Sequence, residues 1–191
     1  MWTAREEHPS EASLWFLLKG RYKDAFSDQF NSVFLPRKSP SSVQSAAGSW
    51  QLIIKVTGFR DRKKNRSAFV YEAVNLQGVC VFFGVNSSLA DTALGLLLEA
   101  VVEGCLIAKH HDFSRVLLLS DSKGMVKIFN TRRASDWQDH TRLADLNFLV
   151  QNGLLCHMIL VSHVLVKYLC NIAKKATQMP IKLCWFNPAS M

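Results

Sequence analysis

The sequence predicts an α/β fold. Its core is a mixed five-stranded sheet, three antiparallel strands followed by parallel crossovers, with helices on both faces. Three observations point there. From residue 50 onward, short apolar runs of strand character alternate with longer helical stretches. The first three strands are joined by turn-length connections, which makes them an antiparallel meander. The last two are each reached through helical sequence, and such a crossover brings a strand back parallel to its neighbour.

The elements follow in order. Leu52-Ile53-Ile54-Lys55-Val56 is a short apolar run of strand character. A highly charged loop, residues 60–66, with five cations and one acid, separates it from a second strand over residues 67–75. Asn75-Leu76-Gln77-Gly78 then turns the chain into a third strand, residues 79–85, since Asn and Gly suit tight turns. Residues 89–110 form a long helical stretch, with Ser88 a candidate N-cap. A buried fourth strand, residues 116–119, ends at Ser120-Asp121-Ser122. Helices are predicted over residues 123–131 and 136–151, the second closed by Asn152-Gly153. Residues 156–161 make the fifth strand, and a last helix over 164–177 stops before Pro180.

Upstream the pattern differs. Tyr22, Phe26, Phe30 and Phe34 recur every four residues and fall on one drifting helical face. Residues 36–49, rich in Pro, Ser, Gln, Ala and Gly, read as a linker. The expected organisation is therefore an N-terminal helical segment (1–35), the linker (36–49), the α/β domain (50–178) and a C-terminal tail (179–191).

Composition narrows the function. With 49% hydrophobic residues in 191, the chain is no disordered protein, and 9 Gly and 5 Pro exclude collagen-like material. No stretch approaches the roughly 18 uncharged apolar residues of a membrane span, Lys55 ending one candidate run, so no membrane partner is expected. The five cysteines are odd in number and lack CxxC spacing, which points to buried free thiols. No signal core opens the chain, so an intracellular, reducing site is expected, nucleus or cytoplasm. The formal charge of +8 favours a polyanionic partner, nucleic acid first. No Ser-His-Asp or Cys-His arrangement and no phosphate-binding Gly-rich loop is present, and His110-His111 lacks a third zinc ligand.

A set of ordered motifs goes further. They are Ile54-Lys55-Val56-Thr57-Gly58 with Asp61, Asn75-Leu76-Gln77-Gly78, Ser87-Ser88-Leu89 and Glu99-Ala100-Val101-Val102-Glu103-Gly104. Phe113-Ser114-Arg115-Val116, Leu119-Ser120-Asp121-Ser122, Ser162-His163-Val164 and Ile172-Ala173-Lys174-Lys175 complete the series. In order and spacing the chain from about Trp50 to Lys175 resembles the ribonuclease H-like domains of plants and of retrotransposon-derived, reverse-transcriptase-associated proteins. The resemblance implies a ribonuclease H-like fold, RNA–DNA hybrids as substrate class, and carboxylates holding two divalent metals that activate water.

Carried across residue by residue, the four acid positions fall on Thr57, Leu97, Asp121 and either Cys170 or Ala173. One acid remains, Asp121, a weak metal ligand by itself; it or Ser122 also reads as a helix cap. Glu99 and Glu103 lie about 200° and 240° around the helix from Leu97 and should face elsewhere. His163 reads as structural. The expectation is a catalytically impaired nucleic-acid binder, for RNA–DNA hybrid or single strand. It requires no cofactor, and magnesium or manganese would serve only residual activity. Arg60, Arg62, Lys63, Lys64, Arg66, Lys174 and Lys175 are its candidate phosphate contacts. Two alternatives stand beside it. One is an active hybrid ribonuclease with displaced acids. The other is a non-enzymatic protein-interaction module whose partner meets residues 14–34.

Overall fold

Alternation along the first strand decides the architecture. In β1 (Leu52–Asp61), Leu52, Ile54 and Val56 share one face and Ile53, Lys55 and Thr57 the other; all six are buried. A strand buried on both faces has to be internal and covered from each side. The computed structural model describes residues 50–187 apart from 91, 135 and 179, all within one compact unit, Gly48–Met191. The expected N-terminal helical segment, its aromatic stripe and most of the linker lie outside the described residues.

The sheet has the order β5-β4-β1-β2-β3-β6. β1 pairs antiparallel with β2 (Arg66–Val74), β2 with β3 (Cys80–Ser88), and β3 with β6 (Lys182–Phe186). β1 runs parallel to β4 (Arg115–Ser120), and β4 to β5 (Leu155–Leu160). All five expected strands are present with the expected directions, in a ribonuclease H-like mixed sheet. The count is corrected from five to six, because the stretch read as a tail adds β6 at the edge. Phe186 there packs 6.1 Å from the Phe82 ring and 4.8 Å from that of His111.

Among the described residues four α-helices cover the sheet: α1 (Ala93–His110), α2 (Lys123–Thr131), α3 (Trp137–Gln151) and α4 (Lys167–Ala176). A Cβ on Gly104 of α1 would lie 3.4 Å from Ile54, whereas the neighbouring Lys55 reaches Tyr168 of α4 at 3.4 Å. Adjacent strand residues point to opposite faces, so α1 and α4 lie on opposite sides of the sheet. Among the described residues no helix is long and apolar enough to cross a membrane.

Three boundaries differ from expectation. α1 starts at Ala93, because the Thr92 hydroxyl accepts from the Gly95 amide at 2.8 Å; Ser88 instead receives the Ala90 amide and donates to Glu99. The charged loop shrinks to residues 62–65, since Arg60 and Asp61 still pair with Ser67 and Arg66. Charge forces side chains into water but does not end a backbone ladder. The last helix splits into a 3-10 turn, His163–Leu165, and α4.

One glycine is dictated by packing. A Cβ at Gly84 would sit 2.0 Å from the Tyr71 ring, so only glycine lets that ring lie across β3.

Candidate nucleic-acid interface

Thr57 near the middle of β1, Asp121 just past β4 and Cys170 in the first turns of α4 meet at one end of the parallel strands. The Thr57 hydroxyl bonds the Cys170 thiol, and the charges of Asp121 and Lys174 act on the same sulfur. Burial, then Asp121, push that thiol up; Thr57 and Lys174 hold it down. The structure thus brings together Thr57, Asp121 and Cys170, three positions matched from the resemblance, while Ala173 is buried. Leu97 contributes only a buried apolar side chain in α1.

Asp121 is not a cap. Ser122 caps α2, its hydroxyl accepting from the Met125 amide at 3.2 Å. The Asp121 carboxylate instead lies 2.6 Å from His163 Nδ1, the pair 22% and 57% exposed. Sequence reasoning gave His163 no part in the site. Its signals were its place in the Ser162-His163-Val164 motif and its position three residues after the fifth strand ends.

Glu99 and Glu103 face elsewhere, as their helical angles required. Glu99 accepts from Ser88 and from Arg142, at 3.0 Å from Nε and 2.5 Å from Nη2. Glu103 accepts from Tyr71 at 2.9 Å and from Asn86 at 2.6 and 2.7 Å. Both line an open cleft of about 400 Å³ with Asp145 and Lys182, away from Asp121.

The set around Asp121 is therefore one carboxylate, one hydroxyl, one thiol and one imidazole. Magnesium is a hard ion that requires oxygen ligands in near-octahedral array. Among the described residues no group of three His, Cys, Asp or Glu is placed to hold a metal ion. These donors do not fit a two-magnesium centre.

Below this end lies an ion pair that the sequence did not signal. Lys55, two residues before Thr57 on the same face, meets Glu72 at 3.0 Å, with Tyr168 donating to the same carboxylate oxygen.

The expected cations lie in the β1–β2 turn and on α4. Arg62, Lys63 and Lys64 are exposed in the β1–β2 turn, which Asp61 ties down by accepting from the amides of Lys63 and Lys64. Arg60 is half-buried at the end of β1. Arg66 donates to the Gln178 carbonyl at 2.9 Å, which joins the turn to the end of α4. Lys174 and Lys175 are exposed, and the Lys174 ammonium lies 5.8 Å over the Phe59 ring.

The repeat lengths explain why these rows align. Phe59 is two residues past Thr57, roughly 6.6 Å along a strand. Lys174 is four past Cys170, about 6 Å along a helix. The rows Thr57–Phe59 and Cys170–Lys174 therefore run side by side, and the basic turn continues from them.

No protein-family model matches the chain, and no curated protein matches it. Solved structures do. RNase H1 from the halophilic archaeon Halobacterium salinarum is 16% identical over 65% of this chain and 98% of its own, with a TM-score of 0.58. LC11-RNase H1, isolated from compost and solved with an RNA/DNA hybrid, is 10% identical over 68% and 100%, with a TM-score of 0.59. The foamy viral protease–reverse transcriptase, also solved with an RNA/DNA hybrid, is 14% identical over 75% of this chain and 23% of that one, with a TM-score of 0.52. The fold of residues 50–187 is ribonuclease H-like.

Proposed function

We propose that this protein is a ribonuclease H-like nucleic-acid binder, of the plant or retrotransposon-derived type, that holds an RNA–DNA hybrid or a single strand without cutting it. One observation carries the reading. Of Thr57, Asp121 and Cys170, which meet at one end of the sheet, only Asp121 is a carboxylate, and exposed cations stand further along the same two elements, Arg62, Lys63, Lys64 and Arg66 at the β1–β2 turn and Lys174 and Lys175 on α4. A phosphate backbone is attracted by such cations, and without clustered acids no pair of magnesium ions assembles to activate water. LC11-RNase H1 and the foamy viral enzyme, both solved with RNA/DNA hybrids, support the choice of ligand.

In this reading each chain element has one task. The β1–β2 turn and the end of α4 contact phosphates and carry no sequence information. His163 holds the Asp121 carboxylate by a hydrogen bond at 2.6 Å. The five free thiols favour a reducing compartment, nucleus or cytoplasm.

The test is a titration of a labelled RNA–DNA hybrid, with magnesium or manganese, at two salt concentrations. With about six phosphates contacted, affinity should fall on the order of 10³-fold between roughly 50 and 200 mM salt. Binding without cleavage, unchanged in Asp121→Asn, is the expected result. Metal-dependent cleavage that Asp121→Asn abolishes would overturn the reading in favour of an active ribonuclease. A hybrid neither bound nor cut would overturn it in favour of a protein partner.

A further inference from the structure

The cleft away from Asp121 holds charges that pair only in part. α1 and α3 run alongside one another in the same direction: a Cβ on Gly95 would lie 2.8 Å from Asp139 and, one turn on, Glu99 meets Arg142. That second rung is filled, since Arg142 binds Glu99 through Nε at 3.0 Å and Nη2 at 2.5 Å. Another turn on, Glu103 of α1 and Asp145 of α3 line the cleft. Among the described residues neither of these acids forms an ion pair, nor does Lys182, which lines the cleft from β6.

Asn86 of β3 marks the same rung. It lines the cleft, is 5% exposed, and donates from Nδ2 to both Glu103 oxygens, at 2.6 and 2.7 Å. Turning the amide over would set its oxygen against the carboxylate, so Oδ1 is the atom left over. That oxygen is buried with no hydrogen-bond partner among the described residues, which is costly. Tyr71 also donates to Glu103, at 2.9 Å. Tyr71 and Asn86 are neutral donors: they fix the carboxylate in place and leave its charge uncompensated. The rim beside it is apolar. Leu106, 50% exposed, lines the cleft, and Phe148, 64% exposed, lies three residues past Asp145 on the same side of α3.

We propose that this cleft docks an arginine side chain of a partner protein, presented between apolar residues, with Glu103, Asp145 and the Asn86 carbonyl oxygen as its acceptors. Charge complementarity selects a cation, because two carboxylates stand here without one. The number and placing of the acceptors select a guanidinium. It carries N–H donors in a rigid planar fork and stays charged when desolvated, whereas a lysine ammonium is a compact point charge. The cleft already holds one such pairing, Arg142 on Glu99, a turn below. An open volume of about 400 Å³ admits a second guanidinium from the surface. Apolar neighbours of that arginine would cover Leu106 and Phe148, and a buried arginine ringed by apolar contact is a common anchor of protein interfaces.

The test is an NMR titration of the ¹⁵N-labelled full-length protein with two capped tripeptides, Leu-Arg-Leu and Leu-citrulline-Leu. Citrulline keeps the shape of arginine and loses its charge. The expected result is saturable shifts of the Asn86 side-chain amide and of backbone amides over residues 99–106, with the arginine peptide bound about tenfold tighter than the citrulline one. Asp145→Asn, a change at an exposed helix position, should weaken the arginine peptide about tenfold while the remaining spectrum shows the fold intact. Acetyl-arginine amide, which lacks the apolar flanks, should bind more weakly than the tripeptide. No saturable shift at Asn86, equal affinity for the citrulline peptide, or an unchanged affinity in Asp145→Asn would overturn the proposal. Equal affinity for acetyl-arginine amide would overturn the partner protein in favour of a small free guanidinium. None of these outcomes bears on hybrid binding.

Discussion

The pair under the interface makes the sharpest stability prediction. Lys55 and Glu72 stand directly opposite in the β1–β2 register, 3.0 Å apart, their side chains 6% and 0% exposed. The attraction of roughly 5 kcal/mol that opposite charges would have at that distance, at an effective dielectric near 20, does not overcome burial, which raises Glu72 and lowers Lys55. Desolvation costs several kcal/mol per ion, so the pair as a whole contributes little, while deleting one partner costs about 3–5 kcal/mol. Glu72 already has one buried oxygen with no hydrogen-bond partner among the described residues, which adds to that desolvation cost. Against a domain stability of about 5–15 kcal/mol, Lys55→Ala or Glu72→Ala should remove a third or more. The apolar double variant Lys55→Met with Glu72→Leu should recover most of the loss.

The pair also predicts a dependence on pH. Burial raises Glu72 from 4.5 to about 8 and lowers Lys55 from 10.5 to about 8. Between 4.5 and about 8 the folded chain holds a proton on Glu72 that the unfolded chain has released, so stability falls as pH rises. Between about 8 and 10.5 the unfolded chain holds a proton on Lys55 that the folded chain lacks, so stability rises again. Relative to the double variant, the wild type should be least stable near pH 8. Urea unfolding followed by tryptophan fluorescence at about pH 5, 8 and 10 measures this. Single losses that simply add in the double variant, or a difference flat in pH, would refute the reasoning.

Two further outcomes are expected. Gly84→Ala places a methyl 2.0 Å from the Tyr71 ring and should cost about 1–3 kcal/mol, or roughly 3–10 °C in melting temperature. An unshifted melt would mean that the ring has room to move. Restoring carboxylates beside Asp121, as Thr57→Asp with Cys170→Asp, should create magnesium binding in the millimolar range by calorimetry, absent from the wild type. A folded variant that takes up no more metal than the wild type would show that these positions are not the ligand positions.

Much of the fold was legible because its signals are local. Leu52-Ile53-Ile54 and Leu117-Leu118-Leu119 are runs that only a buried strand or helix accommodates, and Asn75 with Gly78 (φ 78°) marks a turn by its own chemistry. β6 was not legible, because Lys182–Phe186 is only half-buried and becomes a strand by pairing with β3 about a hundred residues earlier. Cap choice misled at α1, where Ser88 and Thr92 are both competent and the docking of Glu99 onto Ser88 decides between them.

The candidate site divides along the same line. Sequence by itself determined the inventory: a basic chain, an acid at Asp121 after the fourth strand, cations at Arg62, Lys63 and Lys64, and five cysteines without a pairing pattern. Tertiary structure decided which side chains meet. It set His163 on Asp121, Cys170 on Thr57 and Arg66 on Gln178. In the sequence Lys55 merely interrupts an apolar run; in the fold it is a buried half of an ion pair with Tyr168 above it. The physical reason is range. Helix, strand and turn preferences act over a few residues, whereas the environment of a charge or a thiol is set by register and packing between segments dozens of residues apart.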